Sequence, residues 1–140
     1  GIKKIKLADI KQGDFIGTAA VPGKDGKLHA EEVLVFPEAA RGTGEGHYPW
    51  DLKGGSETMT NATVAEVASA PKGRVLKLTY KGGAQEVVVD PKTPVVTFAP
   101  DDKSLLKKGA HVFVPALKKA DGTIVASRVV AEKNHVRPPM

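Results

Sequence analysis

Sliding the 140-residue chain along itself by 96 positions brings two stretches into one register without a gap. Lys11, Gly13, Ala20, Asp25, Gly26, Ala30 and Val33 meet Lys107, Gly109, Ala116, Asp121, Gly122, Ala126 and Val129 as identical pairs. Apolar pairs fill the intervals: Ile16 with Val112, Leu28 with Ile124, Leu34 with Val130. Self-similarity of this kind reads as a duplication, and it constrains the fold because both copies must suit the same local structure. In each copy a Lys-Gly pair ends an irregular segment, with glycine free to take positive φ, and a strand of about eight residues follows. Asp-Gly then signals a tight hairpin turn, which we expect to be of type I′. The return strands are expected over Lys27–Phe36 and Thr123–Glu132.

More strands are expected between the copies. Met59–Ser69 alternates in part, Arg74–Tyr80 alternates clearly, and Gln85–Val89 and Val95–Phe98 are short β-branched runs bounded by Gly, Pro and Asp. Asp101–Lys108 has the makings of a helical turn capped by Asp102 or Ser104. No segment holds a helical period. The expected fold is all-β: a small OB-like closed barrel at residues 59–134, the second repeat, packed with an incomplete first repeat at residues 1–36 that forms a β-hairpin. A long ordered loop at 37–58 connects them, and 135–140 is a C-terminal tail. Closure is expected because an open meander would leave two bare edges. At an offset of 96, Gly1 meets Thr97, so strands of the second unit have no counterpart ahead of the first hairpin. That predicts either a natural chain extended upstream or an open strand edge that pairs with the second unit or, by self-association, with another chain.

Composition narrows the chemistry. The chain lacks cysteine, which removes disulfides, zinc ribbons and thiol catalysis. Its net charge is +5, but the lysines are scattered and aromatics make up 5%. Single-strand nucleic-acid binding needs stacking surfaces on a basic groove, so nucleic acid is not the expected partner and stands as an alternative. No apolar run is long enough for a membrane-spanning helix. The N-terminus, interrupted by Lys3, Lys4 and Lys6, has no secretory apolar stretch. The glycines of Gly42–Gly46 lack the lysine and hydroxyl of a P-loop. No serine lies in a nucleophile elbow, and no catalytic residue is assigned.

The long connection is where chemistry concentrates. It holds the single Trp, Trp50, with Tyr48, His47, Arg41, Glu38, Glu45 and Asp51. A connection of this length is functional or disordered more often than not, and its aromatics argue for order. Three readings stay open. Trp50 and Tyr48 pin an Ω-like loop to the barrel while Arg41 bonds Glu38 or Asp51. Alternatively Arg41, Glu45, His47, Tyr48, Trp50 and Asp51 bind a protein or small-molecule ligand. In the third reading His47, Glu45 and Glu38 hold a divalent metal, although their spacing matches no established ligand motif. No other cofactor is expected.

The two hairpin units, together with the run Phe36-Pro-Glu, Arg41-Gly-Thr-Gly-Glu-Gly-His47, Pro49-Trp-Asp-Leu52 and Met59-Thr-Asn-Ala62, resemble an uncharacterised bacterial family of exported proteins, a domain of unknown function with duplicated OB-like barrel units. The likeness covers nearly the whole chain. It implies a periplasmic or cell-envelope setting, with a signal peptide and further strands upstream, and it supplies no catalytic residues. The function expected is that of a non-enzymatic binding or interaction module with its site at Arg41–Asp51.

Overall fold

The computed structural model describes residues 1–51 and 54–138. Leu52 and Lys53 of the connecting loop, and Pro139 and Met140 of the tail, lie outside the described residues. Two compact units are present: Lys4–Thr97, and Gly1–Lys3 together with Phe98–Met140. Among the described residues twelve strands follow in chain order: β1 (Ile2–Lys4), β2 (Phe15–Pro22), β3 (Leu28–Val35), β4 (Gly46–Trp50), β5 (Glu57–Ser69), β6 (Arg74–Tyr80), β7 (Gly83–Val89), β8 (Val95–Phe98), β9 (Val112–Phe113), β10 (Ala116–Lys118), β11 (Ile124–Ala126) and β12 (Val130–Ala131). Helical structure among the described residues is limited to single 3₁₀ turns at Leu7–Asp9, Glu38–Ala40 and Lys103–Leu105. No helix among them is long and apolar enough to cross a membrane.

The fold is all-β, and the unit Lys4–Thr97 contains a small closed five-stranded barrel. β3, β2, β5, β6 and β7 pair in that order as antiparallel neighbours. The ring closes where β3 meets β7 in parallel, Leu28 opposite Val87 and His29 opposite Val88. Two strands are long enough to hold a second neighbour along one edge. Beyond β7, β3 pairs with β8 through Val33 and Val95. β5 pairs with β4 over Glu57–Asn61 and then with β6 over Thr63–Ser69. The sequence reading places the closed barrel at residues 59–134, whereas this ring runs from Phe15 to Val89 and takes the first hairpin in. Closure depends on the parallel β3–β7 contact, which alternation along either strand does not disclose.

Inward positions are filled by Ile16, Ala20, Ala30, Val33, Ala62, Val64, Leu76, Leu78, Val87 and Val89, all buried in one cluster. Alternation slips twice. β3 skips Glu31 between Ala30 and Val33, and β5 skips Ala65 between Val64 and Glu66. A β-bulge at each point returns the apolar residues to the interior and bends the strand as a small barrel requires.

In the other unit β10 pairs with β11 and β9 with β12, both antiparallel. Local features recur at the 96-residue spacing. The 3₁₀ turn at Leu7–Asp9 has a counterpart at Lys103–Leu105. Gly13 and Gly26 have positive φ, as do Gly109 and Gly122. Gly23 N–H donates to Lys27 O, and Lys119 N–H to Thr123 O. The turns differ from the expected type I′. Asp25 and Asp121 are absent from the positive-φ residues, and Gly26 N–H donates back to Gly23 O. Each is a type I turn followed by a left-handed glycine, the three-residue alternative for a hairpin.

Candidate functional site

The sequence-predicted site is only partly a loop. Gly46–Trp50 is strand β4, laid antiparallel on β5 with His47 opposite Thr60, Tyr48 opposite Met59 and Trp50 opposite Glu57. Pro49 is tolerated because β4 pairs with β5 alone among the described strands, so its missing N–H costs no ladder bond on the other edge. Directly opposed residues share a face, so β4 sends His47 one way and Tyr48 and Trp50 the other.

On the face of Tyr48 and Trp50, the preceding loop is tied down. Asn61 Nδ2 donates to Gly44 O and to the Tyr48 hydroxyl, each at 3.1 Å, and Tyr48 donates to Gly44 O at 3.1 Å. Burial raises the Tyr48 phenol above its ordinary value, with the Asn61 hydrogen bond acting in the other direction. The Tyr48 and Trp50 rings lie 6.1 Å apart at 58°, a tilted pair.

Arg41 is fully engaged. Its guanidinium donates to Glu38 Oε1 at 2.5 Å and Oε2 at 2.8 Å, and to Gly13 O at 2.6 Å. The fork-to-fork pair with Glu38 lies within the loop, and the bond to Gly13 O ties the loop to the segment ahead of β2. The Arg41 hydrogen bond holds the Glu38 carboxyl below the usual carboxylate range, and Glu38 raises Arg41 in return.

On the other face, His47 Nδ1 shares a 2.8 Å hydrogen bond with Thr60 Oγ1. Its ring lies against Tyr80 with centroids 6.2 Å apart and planes 19° from parallel. Gln85 Nε2 donates to the Tyr80 hydroxyl at 3.3 Å. Thr60 and Thr18 are opposed in the β2–β5 ladder and both are buried. Thr60, Tyr80, Gln85 and Asn61 are absent from the candidates read from sequence. The available signal was a strand with Thr58 and Thr60 in phase with inward-facing Ala62 and Val64, and an asparagine in its middle.

Two polar atoms on this wall are buried without a hydrogen-bond partner: Trp50 Nε1 and Thr58 Oγ1. Leaving such a group unmet costs about 1–3 kcal/mol. Glu45 and Asp51 are exposed. His47, Glu45 and Glu38 do not converge, since no group of three His, Asp or Glu side chains among the described residues could hold a metal. The arrangement therefore pairs two aromatic rings with an indole N–H that is buried and lacks an acceptor.

No protein-family model matches the chain, and searches of curated proteins and of solved structures gave no significant match.

Proposed function

We propose that the protein is a non-enzymatic binding module whose site is the β4 wall of the barrel, with Trp50 as its main contact. The observation that supports this is the buried Trp50 Nε1 without an acceptor, beside the tilted Tyr48 ring. A flat, partly apolar ligand carrying a carbonyl or amide oxygen would cover the rings and, through a side-chain shift that uncovers the buried Nε1, satisfy the indole. The roles of Arg41 and Tyr48 in this reading are to hold the wall, because their polar atoms are already engaged. His47 likewise braces β4 through Thr60. The cell-envelope setting rests on the resemblance of the Phe36–Leu52 run.

Trp50 is the only tryptophan, so its emission reports this wall alone. Titration with N-acetylated sugars and acetylated amino acids is expected to shift that emission saturably. By calorimetry, Trp50→Phe, which keeps a ring and loses the N–H, should bind about tenfold more weakly, the equivalent of a lost hydrogen bond of ~1.4 kcal/mol. Equal affinity in wild type and Trp50→Phe would remove the indole from the reading. Saturable binding of an oligonucleotide or Zn²⁺ in place of the amide ligands would favour the nucleic-acid or metal alternative.

A further inference from the structure

The hairpin in the unit formed by Gly1–Lys3 and Phe98–Met140 buries Val130 and Ala131 but leaves most of its other apolar side chains without a cover. At the 96-residue spacing, Ile16 and Thr18 correspond to Val112 and Val114, and Val33 to Val129. Ile16, Thr18 and Val33 are all 0% exposed. Val112, Val114 and Val129 are between 42% and 49% exposed, and Leu117 and Ile124 reach 78% and 70%. In the barrel, β5 pairs along β2, Phe15–Ala20 against Thr58–Thr63, and Ile16 and Val33 are covered by the interior cluster that Ala62, Val64, Leu76 and Val87 complete. β10 and β11 pair with each other and with no third strand among the described residues, so their outer edges are bare.

Charge says what would suit that edge. Gly1–Lys3 and Phe98–Met140 contain nine Lys and Arg against four Asp and Glu, while Lys4–Thr97 contains twelve against twelve. The whole net charge of +5 therefore belongs to the unit with the uncovered hairpin. A cavity of about 330 Å³ lies beside the hairpin, lined by Ala126 and Val129 with Lys103 and Arg128. Its acidic members are already engaged: Asp101 accepts from Lys133 Nζ, and Asp102 caps Ser104 N–H. Neither Lys103 nor Arg128 makes an ion pair among the described residues.

We propose that this hairpin is a docking edge for an acidic, extended polypeptide that adds as a strand beside β10 and β11. Its apolar side chains would cover Val112, Val114 and Ile124, and its carboxylates would meet Lys118, Lys119 and Arg128. Main-chain hydrogen bonds along the edge give affinity, and alternate side chains give selectivity. A nucleic acid suits the edge poorly, because residues 112–131 hold a single aromatic ring, Phe113, to stack a base. A membrane suits it poorly too, because the hairpin tip, Lys118-Lys-Ala-Asp-Gly-Thr123, is polar. A second copy would bring together two units of the same charge.

The full chain would be titrated with a ten-residue alternating Val-Glu peptide, a Val-Lys peptide and polyglutamate of equal length, followed by amide chemical shifts and calorimetry. The Val-Glu peptide is expected to bind at least tenfold more tightly than either comparator, to perturb residues 112–131, and to weaken as salt is raised. Ile124→Glu and the pair Lys118→Glu/Lys119→Glu should each lower its affinity at least tenfold while the thermal transition of the barrel is unchanged. Equal binding of Val-Glu and Val-Lys, equal binding of polyglutamate, or perturbations confined to Lys4–Thr97 would overturn the proposal. So would concentration-dependent dimerisation that excludes the peptide, or preferential binding to anionic vesicles or an oligothymidylate.

Discussion

Replacing Gly17 by alanine tests whether the β4 wall is built as described. Gly17 sits in β2, directly opposite Asn61 of β5, and has no positive φ to excuse it. Strand propensity alone predicts a gain of roughly 0.5–1 kcal/mol, since glycine loses more backbone freedom on folding. The structure predicts the opposite sign. A Cβ at Gly17 would land on Asn61 Oδ1 and within 3.1 Å of Phe36 Cε2. Asn61 cannot swing aside freely, because its amide nitrogen holds Gly44 O and the Tyr48 hydroxyl. Overpacking costs about 1–3 kcal/mol, and two weakened hydrogen bonds add about 1 kcal/mol each. Gly17→Ala should therefore lose about 2–4 kcal/mol in urea unfolding followed by circular dichroism. Asn61→Ala alone removes the same two bonds. The double variant should lose less than the sum of the single variants by about 1–2 kcal/mol, because the collision disappears with the amide. Additive losses, or a gain for Gly17→Ala, would refute the packing argument.

Other outcomes follow from the same geometry. Leu78→Ala, fully buried in the barrel cluster, should cost about 2–5 kcal/mol by the same unfolding measurement. Gly73→Ala should destabilise more than Gly26→Ala. Both need positive φ, but a Cβ at Gly73 would overlap the Val89 carbonyl whereas one at Gly26 meets open space. In Tyr80→Phe, ultraviolet titration should find the remaining phenol, Tyr48, ionising above its ordinary 10.0. For Glu38, the pKa is lower folded than unfolded, so its contribution to stability is complete above the ordinary 4.5 and is lost as pH falls through the folded value. Arg41→Met should flatten that acid limb of a stability-versus-pH curve; an unchanged limb would show that the ion pair is not coupled to folding.

Much of the strand pattern was legible because it was local. Arg74–Tyr80 and Val95–Phe98 appear with the bounds read from alternation and punctuation, and Asp102 caps the expected turn at Lys103–Leu105. β4 was not legible: Gly46-His-Tyr-Pro-Trp50 is short and contains proline, and it becomes a strand only because β5 extends past β6 to receive it. The type I turn was missed because Asp-Gly suits two hairpin geometries, and the third loop residue decides between them. At the site, Arg41 does bond Glu38, one of the two partners read for it. The loop's anchors, Asn61 and Thr60, were hidden because partners on another strand leave no trace in the spacing of the loop itself.

The way β3 finds its neighbours sets a timetable for folding. β2 and β3 can zip together as soon as Pro22 and Leu28 exist, but the opposite edge of β3 waits for Val87, Val88 and finally Val95. Such distant pairings make closure the slow step. On a ribosome the Leu28–Val35 backbone would stay uncapped until Val95, about sixty residues beyond Val35, had emerged. In that interval the nascent hairpin is most open to the wrong strand, and a chaperone that shields extended chain has most to protect.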